Sequence, residues 1–188
     1  HGHFPLWNPA LFSGMPNYQV AMEGKSILPD TVKILSLGLP KPINFFFLAC
    51  LCFYILCLAL RVKPVIGILA SLAYSFSTYN PVLIAAGHDT QMLATAFMAL
   101  LMAGMIFIFE KKYWLGLALT TFGVYQQVAS NHLQVSYYFF LIASFVSIFY
   151  LIKWIKEKDW KHIGLTGSII IMAALVGLAG NALVLKTT

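Results

Sequence analysis

The chain has 188 residues, of which 60% are hydrophobic and 10% charged, and its formal net charge is +6. Soluble domains carry about 25% charged residues, so there is too little polar surface here to coat a water-soluble globule, and the composition points to an integral membrane protein. The excess of cations is accounted for by their placement along the chain, described below, so it is not read as a nucleic-acid footprint and no nucleic acid is expected as a partner.

The chain opens with His1-Gly2-His3-Phe4-Pro5-Leu6-Trp7-Asn8-Pro9-Ala10-Leu11-Phe12-Ser13-Gly14-Met15-Pro16, which is too broken by proline and glycine to span a bilayer. Its aromatic rings suit the membrane interface. Residues 30–39 are predicted to form a short surface helix with Asp30 as N-cap and with Ile34, Leu35 and Leu37 facing lipid. The segment reads either as an anchoring loop or as the wall of a substrate cleft. No signal peptide opens the chain, which starts at His1, and Leu185-Lys186-Thr187-Thr188 looks interrupted, so a piece of a longer protein is expected.

Six apolar blocks free of Asp, Glu, Lys and Arg follow, at 43–60, 64–83, 91–109, 113–130, 134–152 and 163–184. About 20 such residues as a helix cross the roughly 30 Å hydrocarbon core. In hydrocarbon the backbone must satisfy its own hydrogen bonds within the segment, and the alternating strands of a membrane barrel are missing from the pattern. The expected fold is therefore all-α, a polytopic membrane bundle over 43–188 with an extracytoplasmic loop segment over 1–42, both parts of one larger membrane domain. Cys50, Cys52 and Cys57 all lie in the first block without metal-finger spacing and read as lipid-facing or packed small apolar residues. Within the second block, Thr78-Tyr79-Asn80-Pro81 should break the helix, because proline removes a donor and disfavours helix at the residue before it.

Cations are retained on the cytoplasmic side of short loops. Arg61 and Lys63 follow the first block, Lys111 and Lys112 the third, and Lys153, Lys156, Lys158 and Lys161 the fifth, while 84–90 and 131–133 carry no Lys or Arg. In the opening segment Lys25, Lys33 and Lys41 are offset by Glu23 and Asp30. The face bearing 84–90 and 131–133 is thus expected outside. Apart from the opening segment and the cytoplasmic side, a single carboxylate remains, Asp89, in Ala86-Gly87-His88-Asp89-Thr90-Gln91. The next outer turn reads Gln126-Gln127-Val128-Ala129-Ser130-Asn131-His132-Leu133-Gln134. Its Gln126, Gln127 and Ser130 suit interfacial caps or interhelical hydrogen bonds. The cofactor is unknown: His88, Asp89 and His132 are the candidate ligands for a divalent metal if the two turns meet, although no fixed spacing connects them. His162, next to Lys161, reads as a solvated loop residue.

Phe4-Pro5-Leu6-Trp7-Asn8-Pro9, followed by Phe12-Ser13-Gly14-Met15-Pro16, resembles the first outer loop of YfhO-type bacterial membrane proteins, which belong with the GT-C glycosyltransferases. The likeness continues through Ala86-Gly87-His88-Asp89 and Asn131-His132-Leu133-Gln134. It implies a multi-pass protein of the bacterial cytoplasmic membrane with its site facing outside, which takes a sugar from a polyprenyl-phosphate donor and passes it to a cell-envelope acceptor. Its partners would be membrane lipid, that donor and that acceptor. The resemblance also implies a span before His1 and many after Thr188. The acidic residue that such proteins carry early in the first outer loop would lie upstream of His1, since Glu23 and Asp30 do not match by motif.

Sugar transfer needs a base for the acceptor, stabilisation of the departing phosphate, and access from both membrane and water. On this reading His88 and Asp89 are the candidate catalytic residues, with the main base upstream, and Trp7, Asn8, Asn131, His132 and Gln134 are candidate substrate-binding residues. Lys186, just past the last block, is a further candidate for a lipid phosphate, or a snorkelling cation. The rival readings are a lipid-linked saccharide transporter or flippase and a non-catalytic assembly subunit. A transporter should place ionisable groups near the bilayer midplane, and none of the six blocks contains Asp, Glu, Lys or Arg.

Overall fold

The computed structural model describes the backbone of residues 7, 8, 15 and 16 and the whole of residues 30–181. Among these residues the protein is all-α apart from one small hairpin, in which β1 (Trp7–Asn8) pairs antiparallel with β2 (Met15–Pro16). Eight helices follow: α1 (Thr31–Leu35), α2 (Ile43–Ala59), α3 (Pro64–Ser75), α4 (Tyr79–Ala85), α5 (Asp89–Phe109), α6 (Tyr113–Ala129), α7 (Leu133–Glu157) and α8 (Trp160–Ala179).

Three of them, α5, α7 and α8, are long and apolar enough to cross a membrane, and the bent pair α3–α4 makes a fourth if it is one span. These three to four apolar helices make the chain a multi-pass membrane protein by length and composition. Helix α2 is apolar but has 17 residues, roughly 25 Å at 1.5 Å per residue. The expected break in the second block is present: α3 ends at Ser75, α4 starts at Tyr79, and the two are bent by 43°. No helix among the described residues of 1–42 is long enough to span.

Helix α5 is the axis of the bundle, buried nearly all round. Its alanines and Gly104 let neighbours approach closely, as small residues do where hydrophobic association cannot drive helices together in lipid. A Cβ built on Gly104 would lie 2.6 Å from the backbone nitrogen of Thr120, and one on Gly123 would lie 2.9 Å from the Cα of Leu101. Helices α5 and α6 therefore touch backbone to backbone. On the far side of α6, a Cβ on Gly177 of α8 would lie 2.8 Å from the Thr121 carbonyl oxygen. Helix α2 packs on α5 through Phe45, Leu48 and Cys52 against Met92, Ala96 and Phe97, and α3 is tied to α5 by the Tyr74 hydroxyl, which donates to the Thr95 carbonyl at 2.9 Å. Helix α7 lies at the margin, with Phe140, Phe145 and Phe149 exposed.

The connecting turns fall at two ends. At one, Arg61 pairs with Glu110, and Lys111 with Asp159 at 2.6 Å, so the turns after α2, α5 and α7 meet. At the other, Lys41 pairs with Asp89, which brings the start of α2 to the start of α5. We call these the Lys111 end and the Asp89 end. Two sequence expectations change. Leu35 packs with Val32 against the Leu48, Cys52 and Phe97 cluster, while Ile34 and Leu37 are exposed, because a one-turn helix held to the bundle must spend part of its apolar face on it. His162, expected in solvent, is 3% exposed. Its Nε2 donates to the Phe109 carbonyl at 3.1 Å and its Nδ1 accepts from the Tyr113 hydroxyl at 2.8 Å; the apolar face of Trp154, 4.5 Å away in a T-shaped arrangement, closes it off.

Candidate functional site

At the Asp89 end a cavity of about 630 Å³ opens between α1, the 38–41 turn, α2, α5 and α6. Small-molecule sites commonly occupy roughly 300–1,000 Å³. Its apolar wall includes Phe45, Leu93 and Phe97, and its polar wall includes Lys41, Asn44, Asp89, Gln126 and Ser130.

Helix α1 is placed by its cap. The Asp30 side chain accepts from the Lys33 amide at 3.0 Å, which satisfies an otherwise orphan donor of the first turn, as the sequence leads one to expect. The Thr31 hydroxyl then donates to Gln126 Oε1 at 3.0 Å, pinning α1 over the end of α6. Asp89 is fixed by a different device. Gly87, at φ +76, makes the reversal between α4 and α5, a conformation open to glycine without steric cost. The turn delivers Asp89 into the first turn of α5, where the helix dipole favours a carboxylate. Lys41 meets it at 2.5 Å, the two side chains being 66% and 36% exposed, so the pair is wet and holds little folding energy.

Two residues of this wall carry an unsatisfied amide atom. Asn44 Oδ1 and Gln126 Nε2 are buried and have no hydrogen-bond partner, on residues 8% and 3% exposed. A buried polar atom left unpaired costs about 1–3 kcal/mol, and of the five such side-chain atoms among the described residues these two belong to residues that line the cavity. Gln127, off the wall, has its Nε2 donating to Ser136 Oγ at 3.1 Å, which joins α6 to α7, while its Oε1 is likewise buried without a partner. Both glutamines thus serve between elements, as expected, and Gln126 faces the cavity as well.

Of the residues singled out in the sequence, the cavity wall takes Asp89. His88 is exposed at the N-cap of α5. Asn131 makes the α6–α7 reversal at φ +48 and is exposed; asparagine tolerates this region better than most residues. His132 stands at the N-cap of α7, with its Nδ1 buried and unpartnered, and Gln134 Nε2 donates to the Tyr138 hydroxyl at 3.2 Å. None of these four lines the cavity, although it reaches Ala129 and Ser130 immediately before them. The side chains of Trp7 and Asn8, and Lys186, lie outside the described residues. Among the described residues no three His, Cys, Asp or Glu side chains come together as metal ligands, so His88, Asp89 and His132 do not form the ligand set considered for them.

Lys41, Asn44 and Gln126 were not singled out as site residues by sequence reasoning. Asn44 carried a signal: it is the one amide in the apolar block 43–60, and an amide in such a block is costly unless something bonds it. No family model, curated protein or solved structure matches the chain.

Proposed function

We propose that the chain is part of a GT-C-like glycosyltransferase of the bacterial cytoplasmic membrane, with six spans and with the Asp89 end outside, transferring a sugar from a polyprenyl-phosphate donor to a cell-envelope acceptor. The observation that carries this reading is the Lys41–Asp89 pair on the wall of a ligand-sized cavity at the end remote from the cytoplasmic-type cations. The chemistry divides between the two charges. Asp89, in place of the base expected upstream, takes the proton from an acceptor hydroxyl as the hydroxyl's oxygen bonds to the anomeric carbon, and the bond from that carbon to the phosphate oxygen breaks. Lys41 turns from Asp89 to the departing lipid phosphate, whose charge it meets. The apolar wall receives the lipid side of the donor. His88, off the wall, takes no part in this step. The resemblance of the opening strings and of Gly87-His88-Asp89 to YfhO-type proteins supports the same assignment.

A second reading, a lipid-linked saccharide transporter, draws on the bent pair α3–α4, since discontinuous helices carry substrate sites in many transporters. One experiment separates them. Membranes holding the full-length protein are supplied with radiolabelled polyprenyl-phosphate sugar, and label appearing in acceptor is measured. Asp89→Asn should lower transfer by about 10²- to 10⁴-fold at constant protein level. Unchanged transfer in that variant removes Asp89 from the chemistry, and label that crosses the membrane still joined to its lipid supports the transporter.

A further inference from the structure

The transferase reading leaves two residues of the cavity wall unused. Asn44 Oδ1 can only accept a hydrogen bond, and Gln126 Nε2 can only donate. Gln126 is held in that sense by Thr31, whose hydroxyl occupies its Oε1. Both atoms are buried without a partner, and both residues line the same cavity as the Lys41–Asp89 pair. A phosphate oxygen can satisfy Gln126 but has no proton for Asn44, and an ammonium group has the opposite defect. Hydroxyl groups satisfy both, because each donates and accepts.

We propose that Asn44 and Gln126 form a specificity-determining pair that reads hydroxyl groups on the head group of the bound lipid phosphate, while Lys41 holds its charge. This rests on the transferase reading and adds to it a division of labour within the cavity: charge at Lys41, hydroxyl recognition at the two amides, and apolar contact along Phe45, Leu93 and Phe97. A site whose buried polar groups are left unpaired by the wrong ligand rejects it more strongly than an apolar pocket of equal size does. Satisfying the two orphans is therefore the term that separates a glycosylated lipid phosphate from the bare lipid phosphate that remains after transfer. The spent lipid lacks the sugar hydroxyls, so its phosphate oxygens can reach Gln126 at most and leave Asn44 unpaired.

The test measures binding, so it does not depend on turnover. Full-length protein in detergent is titrated with methyl citronellyl phosphate and with glucosyl citronellyl phosphate, short-chain phosphodiester probes of equal charge that differ in the sugar. The wild type should bind the glucosylated probe roughly tenfold more tightly, the effect of one to two net hydrogen bonds. Asn44→Leu and Gln126→Leu should each reduce that ratio to about threefold or less and leave methyl citronellyl phosphate affinity unchanged. Gln126→Glu keeps the volume and the acceptor for Thr31 but replaces the orphan donor, so it should lose the preference even if a leucine variant fails to fold. Lys41→Met should weaken both probes equally. A wild type that binds the two probes alike, or variants that keep its full preference, would overturn the pair. Either result leaves the transferase reading to be decided by the label-transfer assay with Asp89→Asn, so the two failures are distinguishable.

Discussion

Asn80 illustrates how one side chain can make a broken span tolerable. Where α3 stops, its last carbonyls lose the amides that a continuing helix would provide, and Asn80 Nδ2 donates to the Tyr74 and Ser75 carbonyls at 3.0 Å each. Ser77 N–H also reaches Tyr74 O at 3.3 Å, so the Ser75 carbonyl depends more on the side chain. Asn80 is buried, and water cannot easily take its place. Asn80→Leu should therefore cost about 1–3 kcal/mol, read as a lowered thermal-unfolding midpoint in detergent, whereas the exposed neighbour Ser77→Ala should stay within about 0.5 kcal/mol of wild type. Pro81 made the break legible in the sequence, but the amide's partners were not, because they depend on the direction in which α4 leaves. The Lys111–Asp159 pair makes a different prediction. Its hydrogen bond to Lys111 holds the Asp159 carboxyl below its ordinary value of 3.8, and the same bond raises Lys111 above 10.5. The depressed acid stabilises the fold above its unfolded value and loses that contribution as pH falls through its folded value, below 3.8. The raised base contributes fully below 10.5 and loses it as pH climbs beyond. Melting against pH should thus be flat from this pair between the two limits, and Asp159→Asn should flatten its share of the curve at both extremes.

Among elements, the α5–α6 contact is the one that side-chain volume governs most directly. Gly104 meets the Thr120 backbone, which cannot swing aside as a flexible side chain could. Gly104→Ala should force the helices apart and cost about 1–3 kcal/mol, as overpacking does. Gly164→Ala is the matched control, because nothing lies within 4 Å of a Cβ built there, so the gain in helix propensity should leave stability equal or higher. Thermal aggregation midpoints of the two variants in one detergent check both statements, and equal midpoints would show that α5 and α6 do not pack this closely. The helices themselves were legible: each expected block contains helix, with ends shifted by a few residues, because a bilayer-length apolar run has one way to satisfy its backbone. Their packing partners were not legible. Small residues occur throughout these blocks, and nothing in the local pattern says that Gly104 faces Thr120, that Leu35 turns inward, or that His162 is drawn under Trp154 to reach the Phe109 carbonyl. The candidate site was legible to a similar degree. Asp89 stood out as an isolated carboxylate, whereas Lys41 and Gln126 gained significance only when three turns converged.

At the scale of the whole molecule, the two ends differ in a way that bears on orientation. The Lys111 end ties its turns with ion pairs, Arg61 to Glu110 and Lys111 to Asp159. It still carries Lys63, Lys112, Lys153, Lys156, Lys158 and Lys161 in or beside those turns, against Glu157. Trp114 and Trp160 are exposed there, at the level where aromatic rings settle between water and hydrocarbon. The Asp89 end has the cavity, and the turns 86–88 and 130–132 on it have no Lys or Arg. Loop cations are held on the cytoplasmic side, so the Lys111 end should be cytoplasmic and the Asp89 end outside. The close packing also constrains the arrangement, because reversing a single hairpin would separate turns that the structure brings together by contact. Orientation should therefore be a property of the whole bundle. In a thiol-free background, a cysteine placed at the exposed position 131 should react with an impermeant reagent added to intact cells, and one placed at 158 only after the inner face is opened. Adding arginines to the 130–132 turn should shift labelling at 131 and at 87 together, since both turns border one end. Labelling of 131 from outside with 87 protected would show that the two turns lie on opposite faces. Labelling of 158 in intact cells, with 131 protected, would invert the bundle and turn the cavity toward the cytoplasm, where a donor facing the cell envelope could not supply it.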